Sequence, residues 1–283
     1  MFPGQFEYHR PGSVQEAIAL LAADPDAKLI AGGHSLLPAM KMRLAMPTSL
    51  VDLGRVPGLT GVRVNGNVVI GAMTTYRQLE SSDELAAAVP LLHAASAVVG
   101  DAQVRTRGTI GGSLAHSDPA ADLTAVFLVL NGSVKAVGSS GERVIAADDL
   151  FLDLLTTSLT VDEIITEVHL PLQGDGLKGA YEKIEHPASG YAVVGVAVAV
   201  EVGADGTVSS ARIAVTGCTS KATRSTAAED ALTGKKLDAD GIAAAAAVAA
   251  QGLEINGDHY ASAEYRAHLV TVATRRALEK AAA

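Results

Sequence analysis

The chain has 283 residues, 48% of them hydrophobic, with one cysteine, no tryptophan and a net charge of −9 at neutral pH. This length provides a substantial core in one large domain or two. Dispersed Lys and Arg under a negative net charge argue against a nucleic-acid partner, the longest apolar run is too short to span a bilayer, and a lone Cys218 excludes both an internal disulfide and an iron–sulfur cluster held by this chain alone.

The first residues lack the charged-then-apolar pattern of a secretory signal, so a cytoplasmic protein is expected. Residues 13–24 are predicted helical, with Ser13 as cap and Glu16 three positions on. A strand over 28–33 ends in Gly32-Gly33. A helix over 35–45 carries Pro38 in its first turn, and a strand follows at 49–53. Together these predict a β-α-β-α-β unit. Residues 61–75 form a predicted hairpin turning at Asn65-Gly66, and 81–100 read as largely helical. The stretch 103–138 is expected to be a glycine-rich loop, then a helix from about Pro119, then a strand at 133–138. Residues 142–151 and 162–172 have strand character.

Pro171 and three glycines mark a boundary within 171–180. Beyond it, 180–185, 191–202 and 209–218 read as three successive strands, and 223–280 as helices, with 240–253 the clearest. Strands followed by helices predict a small α+β domain. The expected division is 1–57, 58–172 and 177–283, α+β throughout.

Two stretches carry chemistry. "LIAGGHSLLPAMKMRLA" (29–45) leaves a strand, turns on two glycines and starts a helix; "TRGTIGGSLAHSDPAAD" (106–122) repeats Gly-Gly before a small hydroxyl residue and ends on an acid. Glycines let a backbone approach a ligand closely, and two such loops suit a diphosphate gripped from both sides by N–H groups and hydroxyls. A nearby carboxylate can accept hydrogen bonds from ribose hydroxyls. Each Gly-Gly alone is more often just a tight turn, and neither G-x-G-x-x-G nor the P-loop pattern is present. From the residues alone, a dinucleotide binder and a pair of structural turns both stand.

"AGGHSLLP" and "TRGTIGGSLAHSDPAAD" resemble the two FAD-binding signatures of the medium subunits of molybdenum hydroxylases, the carbon monoxide dehydrogenase / xanthine dehydrogenase family. Flanking stretches extend the likeness over essentially the whole chain: "FEYHRPGSVQEAIALL", "LVDLGRVPGL", "VVIGAMTT", "EIITEVHLP", "YEKIEHPASGYAVVGVA" and "AEYRAHLV". The chain most resembles carbon-monoxide-dehydrogenase-like medium subunits, a branch that also serves enzymes hydroxylating aromatic heterocycles.

The resemblance implies the two-subdomain FAD-binding fold shared with vanillyl-alcohol oxidase, followed by a small C-terminal domain of a three-stranded sheet plus helices. It implies FAD as cofactor, with Ala31, Gly32, Gly33, His34 and Ser35 on one side of the pyrophosphate and Thr109, Ile110, Gly111, Gly112 and Ser113 on the other. Asp122 matches the acid that contacts ribityl or ribose hydroxyls, Ile165 and Lys183 match further cofactor contacts, and Tyr191 matches a residue beside the isoalloxazine. Ser113 departs from the usual Asn and loses the amide's reach. The implied partners are a large molybdenum-cofactor subunit and a small subunit with two [2Fe-2S] clusters, as a dimer of heterotrimers. The flavin then relays electrons to an external acceptor, and no catalytic residue for substrate is expected in this chain.

Two other readings compete. A stand-alone flavin oxidase or dehydrogenase of the same fold needs an acid or base beside the flavin, and no His/Asp or Tyr/Arg set is evident in the C-terminal half. A non-catalytic assembly protein is disfavoured by the intact glycines of both loops. His34 and His116 each follow a Gly-Gly loop, but no third ligand accompanies them and no metal site is expected. Cys218 is expected to be a buried thiol. Lys183 has a second reading as a strand lysine paired with Glu182 or Glu185, and Arg105-Thr106-Arg107 as a solvated turn or a partner-facing one.

Overall fold

The computed structural model describes residues 2–174 and 176–283. The chain opens with β1 (Glu7–His9), α1 (Val14–Ala23), β2 (Lys28–Ile30), α2 (Leu36–Lys41) and β3 (Ser49–Asp52), followed by a 3-10 turn at Leu53–Arg55. Strand β3 lies between β1 and β2 and pairs with both in parallel, which is why helices connect them. Ser13 Oγ accepts from Glu16 N at 3.1 Å and Glu16 Oε2 accepts from Gly12 N at 2.7 Å, so the start of α1 is capped from both directions. Its Ala17, Ile18 and Leu21 are buried on the sheet with Val51 and Leu53.

β4 (Val62–Val64) and β5 (Val68–Gly71) form the expected hairpin, with Gly66 at φ +73°. Next come α3 (Tyr76–Glu80), α4 (Asp83–Ala88), α5 (Pro90–Ser96), α6 (Ala102–Arg105), α7 (Ile110–His116) and α8 (Asp122–Val129). β6 (Ser133–Gly138), β7 (Gly141–Ala146), α9 (Ala147–Leu150), a small hairpin of β8 (Phe151–Asp153) and β9 (Thr156–Thr157), and β10 (Ile164–Leu170) complete this region. Its sheet is antiparallel in the order β4-β5-β10-β6-β7. The last region holds β11 (Leu177–Glu185), β12 (Ala192–Val202), β13 (Val208–Thr216), β14 (Thr223–Arg224), α10 (Thr226–Leu232), α11 (Ala239–Val248) and α12 (Ala263–Ala282), with sheet order β11-β12-β13-β14.

Several expectations change. The 81–100 helix is two helices, because Pro90 cannot donate to a preceding carbonyl and instead starts α5. The helix at 35–45 stops at Lys41, where Arg43 turns left-handed at φ +59°. The C-terminal sheet has a fourth strand, since Thr223 and Arg224 pair with Val215 and Ala214 before the helices begin. The glycine-rich loop before Pro119 contains helices α6 and α7; Gly111 and Gly112 sit in the first turn of α7.

Helix α8 is buried at all eight positions, and only Asp122 and Thr124 in its first turn are polar. It lies between α5 and the faces of β12 and β13. Nine consecutive residues of β12, Ala192–Val200, are also buried, because both faces of the strand are covered. The side chains divide by size. Ala197 and Ala199 pack in the core that contains α8, while Val194, Val196, Val198 and Val200 pack against α10, α11 and α12. Small residues on one face let α8 approach the sheet closely.

Candidate functional site

The first glycine motif leaves β2 and passes directly over the turn that precedes α7. A Cβ on Gly32 would lie 2.1 Å from the carbonyl oxygen of Arg107 and 2.8 Å from Gly108 Cα. Gly33 adopts φ +72°, a conformation that side chains resist. Among the described residues no acceptor lies against the backbone N–H groups of Gly33, His34 and Ser35. His34 turns back on its own loop, Nδ1 lying 2.9 Å from Gly32 O.

The second motif is built differently. Thr109 Oγ1 caps α7 by accepting from Gly112 N at 3.2 Å, Ser113 N donates to Thr109 O, Ile110 N to Thr74 O and Gly111 N to Ala72 O. These four amides are therefore engaged within the chain, and the polar groups that Thr109 and Ser113 could still offer a ligand from this side are their hydroxyls. Gly111 is needed for packing, since a Cβ there would lie 2.5 Å from Ala72 Cβ; the corresponding atom on Gly112 would lie 3.5 Å from Ala31 Cβ. The two motifs thus face each other at Ala31 and Gly112 with room for no more than a methyl group between them. Ser113 stands beside the phenol of Tyr76, which burial pushes up to about 12.

Behind the motifs lies a buried polar group. Asp122 Oδ1 accepts from Tyr181 OH at 2.7 Å, and Lys183 Nζ lies 3.3 and 3.4 Å from the two carboxylate oxygens. Asp122 and Lys183 side chains are 5% and 6% exposed. Burial raises the Asp122 pKa, opposed by the Lys183 ammonium and the Tyr181 hydrogen bond. Gly195 makes room for this arrangement, because a Cβ there would meet the Tyr181 hydroxyl at 2.3 Å. Lys183 also donates to Val98 O at 2.6 Å and Gly190 O at 3.0 Å. Its partner is therefore neither Glu182, which pairs with Arg276 and Lys280, nor Glu185. Tyr191 follows Gly190, stays 45% exposed, and stands beside Ser35 and Asp118; partial burial and the Asp118 charge raise its pKa.

The structure thus gathers 31–35, 109–113, Asp122, Lys183 and Tyr191 into one region. Ile165 lies apart from the exposed surface, 5% exposed in β10 within the apolar core that also holds Ile110 and Leu114. His116 is exposed at the end of α7. Cys218 is fully buried, and burial pushes its thiol up to about 12. Arg105 folds inward onto Glu80 at 2.6 Å and the carbonyls of Val99 and Gly100. Tyr76 and Tyr181 escaped sequence reasoning. Thr75-x-x-Gln78, a capping box that places Tyr76 at the start of α3, was the available signal for the first.

Three consecutive free N–H groups, the hydroxyls of Thr109 and Ser113, a glycine contact that excludes any side chain and a half-exposed tyrosine together match a diphosphate joined to a flat ring system. Two family models cover the chain: the FAD binding domain in molybdopterin dehydrogenase over residues 4–173, and the CO dehydrogenase flavoprotein C-terminal domain over 179–281. The nicotine 6-hydroxylase medium subunit of Paenarthrobacter nicotinovorans is 42% identical over 277 residues, 98% of this chain and 97% of that protein. The solved carbon monoxide dehydrogenase from Hydrogenophaga pseudoflava which lacks the Mo-pyranopterin moiety of the molybdenum cofactor superposes with TM-score 0.96 at 42% identity, over 99% of this chain and 98% of that one. Quinoline 2-oxidoreductase from Pseudomonas putida 86 superposes with TM-score 0.93 at 35% identity, over 100% and 98%. The chain belongs to the FAD-binding medium subunits of molybdenum-containing dehydrogenases and hydroxylases, which are parts of oxidoreductases. Among the described residues no helix is long and apolar enough to cross a membrane.

Proposed function

We propose that this chain binds FAD between its two glycine motifs and relays electrons from the [2Fe-2S] clusters of a small partner subunit to an external acceptor, while a large molybdenum-cofactor subunit oxidises the substrate. The observation that carries this reading is the run of free N–H groups at Gly33, His34 and Ser35 beside the Thr109–Ser113 turn. FAD, when bound, supplies a centre that takes up and releases electrons singly or in pairs. The N–H groups of 33–35 and the hydroxyls of Thr109 and Ser113 would hold the diphosphate, and Tyr191 would border the ring.

The subdivision 1–57, 58–172 and 177–283 is part of the same proposal; the family models' ranges support its second boundary. Exposed Met42, Leu44 and Met46 beyond the first motif, at 56, 78 and 70%, support a surface covered by other subunits. A dimer of heterotrimers in the cytoplasm is the expected assembly, and a buried unpaired thiol fits that compartment. The names of relatives, referring to nicotine, carbon monoxide and quinoline, leave the substrate class of the whole enzyme open.

Purification from the native host is the test. FAD and two further protein types should co-purify. Under anaerobic conditions a substrate of the whole enzyme should bleach the flavin of the complex and leave that of the isolated, FAD-loaded chain oxidised. Reduction of the isolated chain by that substrate at a turnover-competent rate would overturn the relay reading.

A further inference from the structure

We infer that Lys183 is a positioning residue for the loop that carries Tyr191, acting on the flavin site through that tyrosine and not as a direct contact of the cofactor. This rests on the FAD reading above. An ammonium has three hydrogens and no lone pair. Here the three meet Val98 O at 2.6 Å, Gly190 O at 3.0 Å and the Asp122 carboxylate at 3.3–3.4 Å. No donor remains for a ligand. Each acceptor belongs to a different segment: Val98 to the turn after α5, Gly190 to the loop between β11 and β12, and Asp122 to the first turn of the buried helix α8.

Arg105 also holds the first loop at the Val99 and Gly100 carbonyls, but among the described residues no other hydrogen bond joins the two loops to each other. Gly100 and Gly190 both adopt positive φ, +50° and +70°, and a Cβ on Gly190 would lie 3.9 Å from Gly100 Cα, so the loops abut glycine to glycine. Within the second loop, Gly190 N and Ser189 N donate to His186 O, and His186 N donates to Tyr191 O. The His186 ring also packs on Tyr260 at 4.2 Å between centroids. These contacts shape the loop, but the contact that ties Gly190 to the 98–100 turn runs through Lys183. Val98 and Tyr191, the side chains on either side of this tie, are each 45% exposed. The placement of Val98 and Tyr191 relative to each other therefore runs through one buried cation, and Asp122 supplies the charge that lets that cation stay buried.

The test uses Lys183→Met, Lys183→Arg and Tyr191→Ala in the full complex, with Asp122→Asn/Lys183→Met as a charge-neutral companion should the single Met variant fold poorly. In the FAD-free full chain, Lys183→Met or the companion should speed amide exchange at residues 186–191 by about tenfold or more while leaving β10 unchanged. That readout does not involve FAD. In the reconstituted complex the same variant should weaken FAD binding and alter the flavin's visible circular dichroism. Combined with Tyr191→Ala, it should add less than about twofold, a coupling near tenfold in Kd of the size found for residues acting through one another. Lys183→Arg, which keeps the charge and offers donors, should recover part of both effects. Unchanged exchange at 186–191, or a Lys183→Met effect on Kd of equal size with and without Tyr191, would overturn the inference. A wild-type complex without FAD would instead overturn the function proposed above and leave the exchange result to decide this one.

Discussion

At Gly32 there is no room for a side chain. A Cβ would sit 2.1 Å from Arg107 O and 2.7 Å from its carbonyl carbon, and backbone cannot swing away as a flexible side chain can. Gly32→Ala should therefore push the first motif off the α7 turn. We expect FAD content to fall to a small fraction of wild type, with a stability loss of about 1–3 kcal/mol, as overpacking usually costs. Flavin absorbance per chain and a urea midpoint measure the two effects. Gly112→Ala is predicted to be milder, since its nearest neighbours would be Thr109 Oγ1 at 2.8 Å and Ala31 Cβ at 3.5 Å, both side-chain atoms. Retention of full flavin by the purified Gly32→Ala protein would show that the motifs do not need their close approach.

Single elements carry two further expectations. Helix α7 has seven residues, too few to be stable alone, and its start depends on Thr109 Oγ1 accepting from Gly112 N. Thr109→Ala should cost about 1 kcal/mol, a Tm drop of about 2 °C for a chain of this size, with Thr109→Ser restoring most of it. Calorimetry on the three proteins decides this. At the other end of the first region, Asp24 terminates α1 and accepts from Thr48 Oγ1 at 2.7 Å and from Ser49 Oγ at the start of β3. Those two hydroxyls hold its pKa below the ordinary carboxylate value. A carboxyl whose pKa is lower folded than unfolded adds stability above its unfolded pKa of about 4, and that stability is lost as pH falls through the folded value. Asp24→Asn should flatten the acid side of a Tm-against-pH curve and leave its slope above about pH 6 unchanged. An acid limb as steep as the wild type's would contradict this role for Asp24.

Across the whole molecule, the C-terminal sheet does more than add a domain: it holds the flavin-side helices in place. Thr216 Oγ1 donates to Pro119 O at 2.5 Å and Ala121 O at 3.0 Å, Gly217 N donates to Pro119 O at 2.7 Å, and Arg212 Nε donates to Val129 O at 2.5 Å. Both ends of α8 are thereby tied to β13 or the turn after it, and Tyr181 and Lys183 add the Asp122 connection from β11. Thr216 is fully buried, so Thr216→Val keeps the shape and removes the donor shared by two carbonyls. A loss of about 1–3 kcal/mol is expected from leaving buried acceptors without a partner. FAD affinity should fall with it, because the 117–121 turn that sets Asp122 is loosened. Equilibrium dialysis beside a denaturation curve separates the two effects; unchanged affinity at reduced stability would mean that the flavin side is rigid without this tie.

Much of this was legible in the amino-acid order. The helical period and cap of 13–24, the Asn65-Gly66 hairpin and the β-branched run at 191–202 are local signals, because each depends on neighbours within a few residues. The pairing of AGGHS with TIGGS was legible too, through the resemblance of both stretches to the family's two signatures, since each Gly-Gly alone reads as a tight turn. What lay beyond local order was set by contacts between distant residues. That Gly32 is the tightest glycine follows from where Arg107 passes, 75 positions later in the chain. That the second motif is a helix turn with its amides spent follows from Ala72 and Thr74 lying opposite Gly111 and Ile110. That Lys183 faces Asp122 and two carbonyls, not the glutamates beside it, follows from where β11 passes the start of α8 and the turn after α5. Sequence determines which groups a segment can offer; only the tertiary fold decides which of them are already taken, since a hydrogen bond or a clash depends on distance in space and not along the chain.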